Sequence, residues 1–353
     1  MSFIIKRTYW LALLLACMLF SCQNDENEKT EAKTKDTGPT PEMVEARNVA
    51  NALWSTTSLN LPIGQKRLEA FDKIQSMADN YTAGAFEGYL KSFDSSAELM
   101  ERHDAILALY RLAFDRVIDD LKSTKVENGT TYIWQLYNMG YIIKTPSACF
   151  GIDISHRWAK KLAPYLDFLC LTHKHRDHYS IPLIDAMKSA GKPVYSNFVE
   201  GGYTSTKEVS YTFNDIKIRV SITDHNNSKL FNFVSVFCID CGDDSGNFRL
   251  MHVGDSNYKP EQYTNIMDKV NVLIARYAPN ALTENNILGE GKGQIQPDYI
   301  LLSHILELAH ENEQLSRWSL KSALKRAEKL HCANTIVPFW GEKLVWKNGK
   351  LIY

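Results

Sequence analysis

The sequence has no surplus of basic residues. Its 40 lysines and arginines are matched by 41 aspartates and glutamates, and the formal net charge is −1 at pH 7. Proteins that bind nucleic acids usually carry a basic excess, because they have to neutralise phosphates. The balance therefore argues against nucleic acid as a partner. With 44% hydrophobic and 23% charged residues, the 353-residue chain has the composition of a globular protein with one large domain or two ordinary ones.

Cysteines are few, and they do not form a disulfide pattern. Apart from Cys17 and Cys22, an odd number of them is scattered over the rest of the chain. Cys238 and Cys241 are spaced as a Cys-x-x-Cys pair, but no second pair exists to complete a zinc site. They also stand in an apolar, strand-like run, where residues three apart face opposite sides. We therefore expect buried thiols at these positions.

The apolar run at the N-terminus is too short to cross a bilayer as a helix. Lys6 and Arg7 precede an apolar stretch over residues 10–20, whereas a membrane-spanning helix needs about 20 residues. The run ends in Leu19-Phe20-Ser21-Cys22, which resembles the lipobox of bacterial lipoproteins. The resemblance implies that residues 1–22 are a signal peptide and that Cys22 is the lipidation site. An ordinary secretory peptide and a retained signal anchor are the alternatives.

Residues 23–41 have little apolar side chain to bury. The segment is rich in lysine, glutamate and threonine, which predicts a disordered tether between the lipidated cysteine and the folded protein. Acidic residues follow Cys22 directly, and this resembles the surface-export signal of some Gram-negative lipoproteins. The expected location is therefore the bacterial cell envelope, at the outer membrane, with the protein facing the periplasm or the cell surface.

Residues 42–128 show helical periodicity. Apolar residues recur at helical spacing after Pro41, again over residues 62–77, and along a third and longest stretch that begins at Asp94 and reaches Leu121. No motif in this region carries chemistry, so we predict a small helical accessory module. A turn signal, Glu127-Asn128-Gly129, marks the boundary to a second region, residues 129–353, in which strand patterns dominate.

The main chemical motif follows an apolar run at residues 168–171. It reads His173-Lys174-His175-Arg176-Asp177-His178, and it places three of the chain's ten histidines within six positions. Imidazoles and carboxylates are ligands that zinc and similar divalent metals prefer, so the motif points to metal binding rather than packing. If the chain leaves the strand in a tight turn, His173 and His175 can serve one metal. Asp177 and His178 can then serve a second.

Later strand ends supply further candidate ligands. His225 follows a predicted hairpin, Asp255 follows a strand that ends at Gly254, and His304 follows a strand over residues 299–303. His252 lies within a strand pattern, so we expect it to be a packed residue. His310 competes with His304, although a helical turn between them would make it a supporting or surface group.

Taken together, these pieces resemble the metallo-β-lactamase superfamily. The resemblance rests on His-x-His-x-Asp-His after an apolar strand and on the later ligands in order, and it covers residues 130 to about 346. It implies an α+β fold, an αββα sandwich that is preceded here by the helical module. It also implies that Asp153, after the third predicted strand, supports the metal loop, with a simple turn aspartate as the alternative. The implied ligands are His173, His175 and His225 for one metal and Asp177, His178 and His304 for the other, with Asp255 bridging.

The resemblance implies a metal-dependent hydrolase with two divalent metal ions. The ligand set favours zinc, with manganese and iron as alternatives. The metals would lower the pKa of a shared water from about 15.7 towards neutrality, and the resulting hydroxide would attack an ester, lactone or phosphodiester. Asp177 would orient this nucleophile and later protonate the leaving group. The string Gly254-Asp255-Ser256 most resembles the ascorbate-phosphate lactonase and N-acylphosphatidylethanolamine phospholipase branch.

Substrate contacts are predicted from position alone. Four residues lie at strand ends or in loops that the fold would bring near the metals, and we expect them to contact a small-molecule or lipid-like substrate: Asn138, Asn226, Arg276 and Trp340. Two other functions stay open, a non-catalytic envelope lipoprotein with a structural metal site and an iron-dependent sulfur oxygenase on the same fold. The full ligand set favours the hydrolase over the first of these, since structural sites are usually closed and single.

Overall fold

The computed structural model describes residues 38–59, 61–267, 269–278, 282–283, 286–310, 319–331 and 333–353. The predicted signal peptide, its Cys22 and most of the predicted tether lie outside these ranges. Pro41, which the sequence assigned to the tether, already belongs to the first helix. None of the helices in the described part of the chain has the length and apolar content that crossing a bilayer requires.

Five helices precede the first strand in the part of the chain that the structure describes. Their bounds are α1 Pro41–Trp54, α2 Gln65–Asp79, α3 Ala83–Lys91, α4 Asp94–His103 and α5 Ala105–Ser123. The prediction of one long helix from Asp94 is wrong, because the chain turns to an extended conformation at Asp104. The Asp104 carboxylate accepts hydrogen bonds from the amides of Ile106 and Leu107, which caps α5 as a new helix. Helix α3 was also not predicted from the sequence.

The described residues beyond Gly129 form two seven-stranded sheets and two further helices. The strands are β1 Thr130–Gln135, β2 Tyr141–Lys144, β3 Cys149–Ile152, β4 Phe168–Cys170, β5 Val194–Tyr195, β6 Val209–Phe213, β7 Ile216–Thr223, β8 Val234–Asp240, β9 Arg249–His252, β10 Lys269–Arg276, β11 Gln296–Ser303, β12 Asn334–Ile336, β13 Lys343–Lys347 and β14 Lys350–Ile352, and the helices are α6 Ile181–Ser189 and α7 Leu320–Ala327. The first sheet has the order β14-β13-β1-β2-β3-β4-β5, and the second has the order β12-β11-β10-β9-β8-β7-β6.

The two sheets face each other across an apolar layer. Successive residues of a strand point to opposite faces, so one face of each sheet can be buried against the other. Ile133 of β1 belongs to the same inner cluster as Phe237 of β8 and Ile274 of β10. Its neighbour Trp134 points the other way and joins the cluster that contains the helices. The αββα sandwich that the sequence predicts is confirmed.

Both sheets contain parallel strands, and this arrangement positions the candidate site. In the first sheet β3, β4 and β5 are parallel neighbours, and in the second sheet β9, β10, β11 and β12 are. Parallel neighbours end at the same edge of a sheet, and ligands in such sheets bind at the carboxyl ends of the strands. The loops after β4, β9 and β11 therefore carry most of the candidate ligands, and the loop after β3 carries Asp153.

Buried polar contacts join the helices to the sandwich. The Arg67 guanidinium of α2 donates two hydrogen bonds to the Glu342 carboxylate, at 2.7 and 2.6 Å, and both side chains are buried. The Trp54 indole of α1 donates to the Trp340 carbonyl at 3.0 Å. Residues 39–353 accordingly form one compact unit, so α1 to α5 pack as part of the same body as the sheets.

Candidate metal centre

Seven side chains converge where four strands end. The motif after β4 supplies four of them, because a short 3₁₀ turn at Arg176–His178 directs its side chains to different sides. The loops after β7, β9 and β11 supply the others. They form one group of His173, His175, His225 and Asp255 and a second group of Asp177, His178 and His304, and in each group the ligand atoms lie within 4.8 Å of one another. The structure thus brings together all seven predicted metal ligands.

The spacing of the donor atoms fits divalent metal ions. His173 Nε2 lies 3.1 Å from His175 Nδ1, and His304 Nε2 lies 3.3 Å from Asp177 Oδ2. Ligands about 2.0–2.1 Å from a tetrahedral zinc ion are separated by about 3.3 Å, so these distances match. Asp255 faces both groups, with Oδ2 3.4 Å from His225 Nε2 and Oδ1 3.7 Å from His178 Nε2. This is the arrangement that a bridging carboxylate requires.

Several of these donor atoms are buried without a hydrogen-bond partner. They include His178 Nε2, His225 Nε2 and Asp255 Oδ1. A buried polar atom that lacks a partner costs about 1–3 kcal/mol, so a cluster of them needs an explanation. Cations held between them would satisfy all three, and the donor set is one that zinc, manganese or iron accepts. The residues present therefore fit a pair of divalent metal ions.

Asp153 fixes the orientation of the metal loop. Its Oδ1 accepts from the Thr172 amide at 2.7 Å, and its Oδ2 accepts from the Thr172 hydroxyl at 2.6 Å and from His178 Nδ1 at 2.8 Å. The Thr172 hydroxyl in turn lies 2.9 Å from His173 Nδ1 and accepts from it. With Nδ1 protonated, each of these two rings presents Nε2 to the centre. Asp153 thus has the supporting role that the resemblance implied.

Gly254 lets the Asp255 loop approach Thr172. Its φ is +49°, and a Cβ at this position would lie 2.6 Å from the Thr172 hydroxyl oxygen. Any other residue would therefore push the loop away from the strand end. At His225 the arrangement differs, because the Asn227 amide donates to Nδ1 at 2.9 Å.

We expect Asp153→Asn to weaken metal binding about 10- to 100-fold. The substitution removes the acceptor that holds the proton of His178 on Nδ1, so His178 and His173 lose their fixed orientation. Zinc affinity measured by competition with a chromophoric chelator provides the test. Asp240→Asn is the matched control, because Asp240 pairs with Arg249 and belongs to neither ligand group. Equal affinities for the two variants and the unsubstituted protein would contradict the role of Asp153.

The site holds its carboxylates ionised. Burial alone would raise the pKa of Asp177 and of Asp255, but the neighbouring histidines outweigh it and hold both values well below the usual range. Burial lowers the pKa of His173 well below its usual value, so this ring is neutral. His178 is the opposite case, since Asp177, Asp153 and Asp255 overcome burial and raise its pKa. Metal binding must therefore release a proton from His178.

Three of the four predicted substrate contacts are placed differently from the prediction. Asn138, Arg276 and Trp340 are buried and do not line the cavity beside the centre, so the prediction that they touch a substrate is corrected. The Asn138 amide donates to Asp177 Oδ2 at 3.0 Å, and it therefore positions a ligand. Arg276 donates to the Ser256 carbonyl behind Asp255. Asn226 does line the cavity.

Three residues at the centre have a strained backbone. Asn138, Asp153 and His304 have φ values of 53°, 48° and 63°, in the left-handed region that residues other than glycine rarely adopt. Each such residue costs of the order of 1–3 kcal/mol unless its surroundings hold it. The hydrogen bonds of Asn138 and Asp153 to the metal loop provide this hold.

A cavity of about 780 Å³ opens beside the metal centre. Its wall includes the ligands His175, Asp177, His225, Asp255 and His304. The wall also contains Phe86 and Leu90 from α3 and Tyr110 from α5. No sequence motif in these helices indicates a functional role, because only the three-dimensional packing brings them to the site.

His310 lies on the cavity wall and in neither ligand group. Its Nδ1 is 2.7 Å from an oxygen of Glu307, which is buried and also accepts from the Tyr137 hydroxyl at 2.9 Å. Burial would lower the pKa of His310, but Glu307 raises it. Of the two competing histidines, His304 joins the ligands and His310 does not. His252 is buried in β9 and pairs with the Met139 carbonyl, as predicted for a packed residue.

Known proteins share parts of this sequence and fold. No family model matches the chain. A UPF0173 protein of Pyrococcus furiosus is 31% identical over 118 residues, which is 31% of this chain and 52% of that protein. The chain thus spans about half the length of this curated relative.

Two solved structures illustrate the structural similarity. Igni18, described as a novel metallo hydrolase of Ignicoccus hospitalis, is 13% identical, with a TM-score of 0.43 and coverage of 62% of this chain and 99% of that one. YhfI of Bacillus subtilis, described as a metallo-β-lactamase fold protein, is 14% identical, with a TM-score of 0.41 and the same two coverages, 62% and 99%. The structural neighbours therefore include metallo-β-lactamase-fold proteins and metallo hydrolases.

Proposed function

We propose that the chain is a metal-dependent hydrolase that uses two divalent cations to cleave an ester, lactone or phosphodiester. The observation that carries this proposal is the convergence of seven histidine and aspartate side chains at strand ends, on the wall of a cavity. A purely structural metal site is usually closed to solvent and single. Here ligands of both groups border open space, which supports a catalytic role.

The proposed ligands divide as the geometry groups them. His173, His175 and His225 would hold one cation, and Asp177, His178 and His304 the other, with Asp255 between the two. When bound, such a pair supplies a water of lowered pKa as the nucleophile and polarises the oxygen that gains charge. The chain itself contributes rigid placement, because Asp153 and Thr172 fix the rings of His173 and His178.

We propose Asp177 as the general acid that protonates the leaving group. Its side chain is 14% exposed and lies on the cavity wall, so it can reach a bound substrate. The Asn138 amide donates both to Oδ2 and to the main-chain carbonyl of Asp177, at 3.0 and 3.2 Å. With the side chain held in this way, Asp177 can orient the nucleophile and pass a proton to the leaving group.

The decisive experiment combines metal analysis with a substrate panel. We expect the purified protein to contain about two metal equivalents and to hydrolyse at least one member of a set of esters, lactones, thioesters and phosphodiesters. Removal of the metal with a chelator should abolish turnover, and its return should restore it. A Lys174→Ala variant is the control, since Lys174 lies within the motif but in neither ligand group. Metal-free protein, or turnover that survives chelation, would contradict the proposal.

We further propose that the hydrolase is anchored in a bacterial envelope through Cys22. What supports this is the order of charged, apolar and lipobox-like residues at the N-terminus. Several acyl chains on one cysteine would give firm attachment, whereas a single chain binds membranes only marginally. Incorporation of labelled palmitate that is lost in a Cys22→Ser variant is the test, and labelling that persists would refute the anchor.

A further inference from the structure

We propose that the cavity beside the metal centre binds the apolar acyl chain of a carboxylic ester and that helix α3 selects it. The inference rests on the proposed function, because it assumes that the ester bond is cut at the metals. It assigns a purpose to the N-terminal helices, which the metal chemistry leaves without one.

The cavity has an apolar side and a metal side. Phe86 and Leu90 of α3, Tyr110 of α5 and Tyr137 after β1 all line it. Phe86, Tyr110 and Tyr137 contact one another, with ring centroids 5.1–5.9 Å apart. Tyr137 is followed directly by Asn138, whose amide holds Asp177. The aromatic surface therefore adjoins the metal centre.

The C-terminal end of α3 is held by the sandwich. Arg157, in the loop after β3, donates to the carbonyls of Tyr89, Leu90 and Ser92 at 2.6–2.9 Å and to the Asp94 carboxylate at 3.0 Å. The last carbonyls of a helix have no partner within the helix, so a guanidinium at this end satisfies them. Leu90 is thereby fixed on the cavity wall.

A second buried contact holds α3 against its neighbours. The Tyr89 hydroxyl and the Trp158 indole both donate to Glu101 Oε1 at 2.6 Å. The Arg111 guanidinium donates to the other oxygen of Glu101 at 3.1 Å. With Arg157 and Glu101 on either side of Tyr89, the helix forms a rigid wall, as a surface that discriminates between substrates must.

The charges on the wall favour a carboxylic ester over a phosphorylated substrate. The Arg157 guanidinium is engaged by α3, and that of Arg176 lies 3.4 Å from the Glu87 carboxylate. Among the described residues that line the cavity, Arg157 and Arg176 are the arginines, and none is a lysine. A substrate phosphate that lies away from the metals would therefore meet guanidinium groups that already pair with other groups of the protein. The volume of about 780 Å³ lies within the usual range for sites that bury drug-sized ligands, which is about 300–1,000 Å³.

Binding of straight-chain carboxylates to the purified full chain tests the inference. We expect calorimetric affinity to rise from acetate to decanoate by about fourfold for each methylene that becomes buried. The acetate value reports the carboxylate group alone, and the rise with length reports the apolar cavity. Leu90→Trp should fill this side of the cavity, weaken decanoate binding at least about tenfold and leave acetate binding unchanged. Leu90 is 41% exposed, so the larger side chain can be accommodated without disturbing the core.

Leu99→Trp is the matched control, because Leu99 is 57% exposed on α4 and does not line the cavity. The kcat/KM values for p-nitrophenyl acetate and decanoate should change in parallel with the affinities for acetate and decanoate. This comparison covers the unsubstituted protein, Leu90→Trp and Leu99→Trp. Affinity that does not depend on chain length, or equal effects of the two tryptophans, would overturn the inference. Ester hydrolysis without acyl preference would also overturn it and leave the proposed function intact. Length-dependent binding without hydrolysis of any member of the ester, lactone, thioester and phosphodiester panel would instead refute the proposed function and retain the acyl site.

Discussion

Asp255→Ala is expected to lower kcat/KM at least about 10³-fold and to reduce the metal content from about two equivalents to about one. Asp255 directs one oxygen towards His178 and the other towards His225, so its removal weakens both proposed cation sites. Two positive charges held close together also repel each other, and the bridging carboxylate offsets this repulsion. Elemental analysis and steady-state kinetics on the same preparation measure both effects.

The control for this variant is Asp215→Ala. Asp215 is an exposed residue in the turn between β6 and β7, so its loss removes a carboxylate without touching the centre. Both variants should retain the circular dichroism of the unsubstituted protein. Two metal equivalents and full turnover in Asp255→Ala would show that the carboxylate does not bridge, and the two-metal assignment would then fail.

Arg67→Met is expected to destabilise the protein by about 3–5 kcal/mol. Arg67 and Glu342 are both buried, and the guanidinium also donates to the Val337 carbonyl at 3.0 Å. Removal of the arginine leaves the Glu342 carboxylate without its counter-charge in the interior, and this costs much more than the pair itself contributes. Urea denaturation followed by fluorescence gives the change in the free energy of unfolding.

A double-mutant cycle with Glu342→Gln separates the pair from the packing around it. The double variant should be more stable than Arg67→Met, since no buried charge is then left alone. Lys122→Met is the surface control, because Lys122 pairs with Asp119 in solvent and its loss should have no measurable effect. If Arg67→Met lowers the free energy of unfolding as little as Lys122→Met does, then water must solvate the Glu342 carboxylate, and the pair is not buried.

The sequence predicted the strands and the metal ligands because both depend on local pattern. Strand-like patterns in the sequence predict strands at residues 130–136, 140–144 and 148–152, and β1, β2 and β3 lie within one residue of these bounds at each end. Short apolar or alternating apolar and polar runs that are bounded by turn residues indicate such strands directly in the sequence. The ligands in the motif could be predicted because three of the ten histidines stand within six positions, and the later ligands because they follow strand ends in the order that the resemblance implies.

The substrate contacts could not be predicted, because position at a strand end does not fix where a side chain points. Arg276 ends β10 near the centre, yet its guanidinium turns behind Asp255 to the Ser256 carbonyl. Trp340 is buried against Tyr137 and Tyr110. The cavity residues of α3 are far from the motif in sequence, so only tertiary packing reveals them.

Besides α3, two details of the secondary structure were missed, each for a local reason. The apolar stripe runs through Asp104 without a break, so periodicity joined α4 and α5. The closing hairpin of β13 and β14 was not predicted, although it completes the first sheet by pairing with β1. β13 has a lysine at each end and β14 begins with one, and these charges in short strands weaken the apolar pattern that marks a strand.

The spread of the ligands along the chain determines when metal can be bound during synthesis. The motif at residues 173–178 leaves the ribosome long before Asp255, and His304 appears later still. The complete centre cannot exist until β9, β10 and β11 have paired, because that pairing sets the loops that carry these two residues. If the proposed function holds, cations bound at the complete centre would stabilise the native state by mass action. The supply of metal in the surrounding compartment would thus determine how long a newly made chain survives against proteolysis.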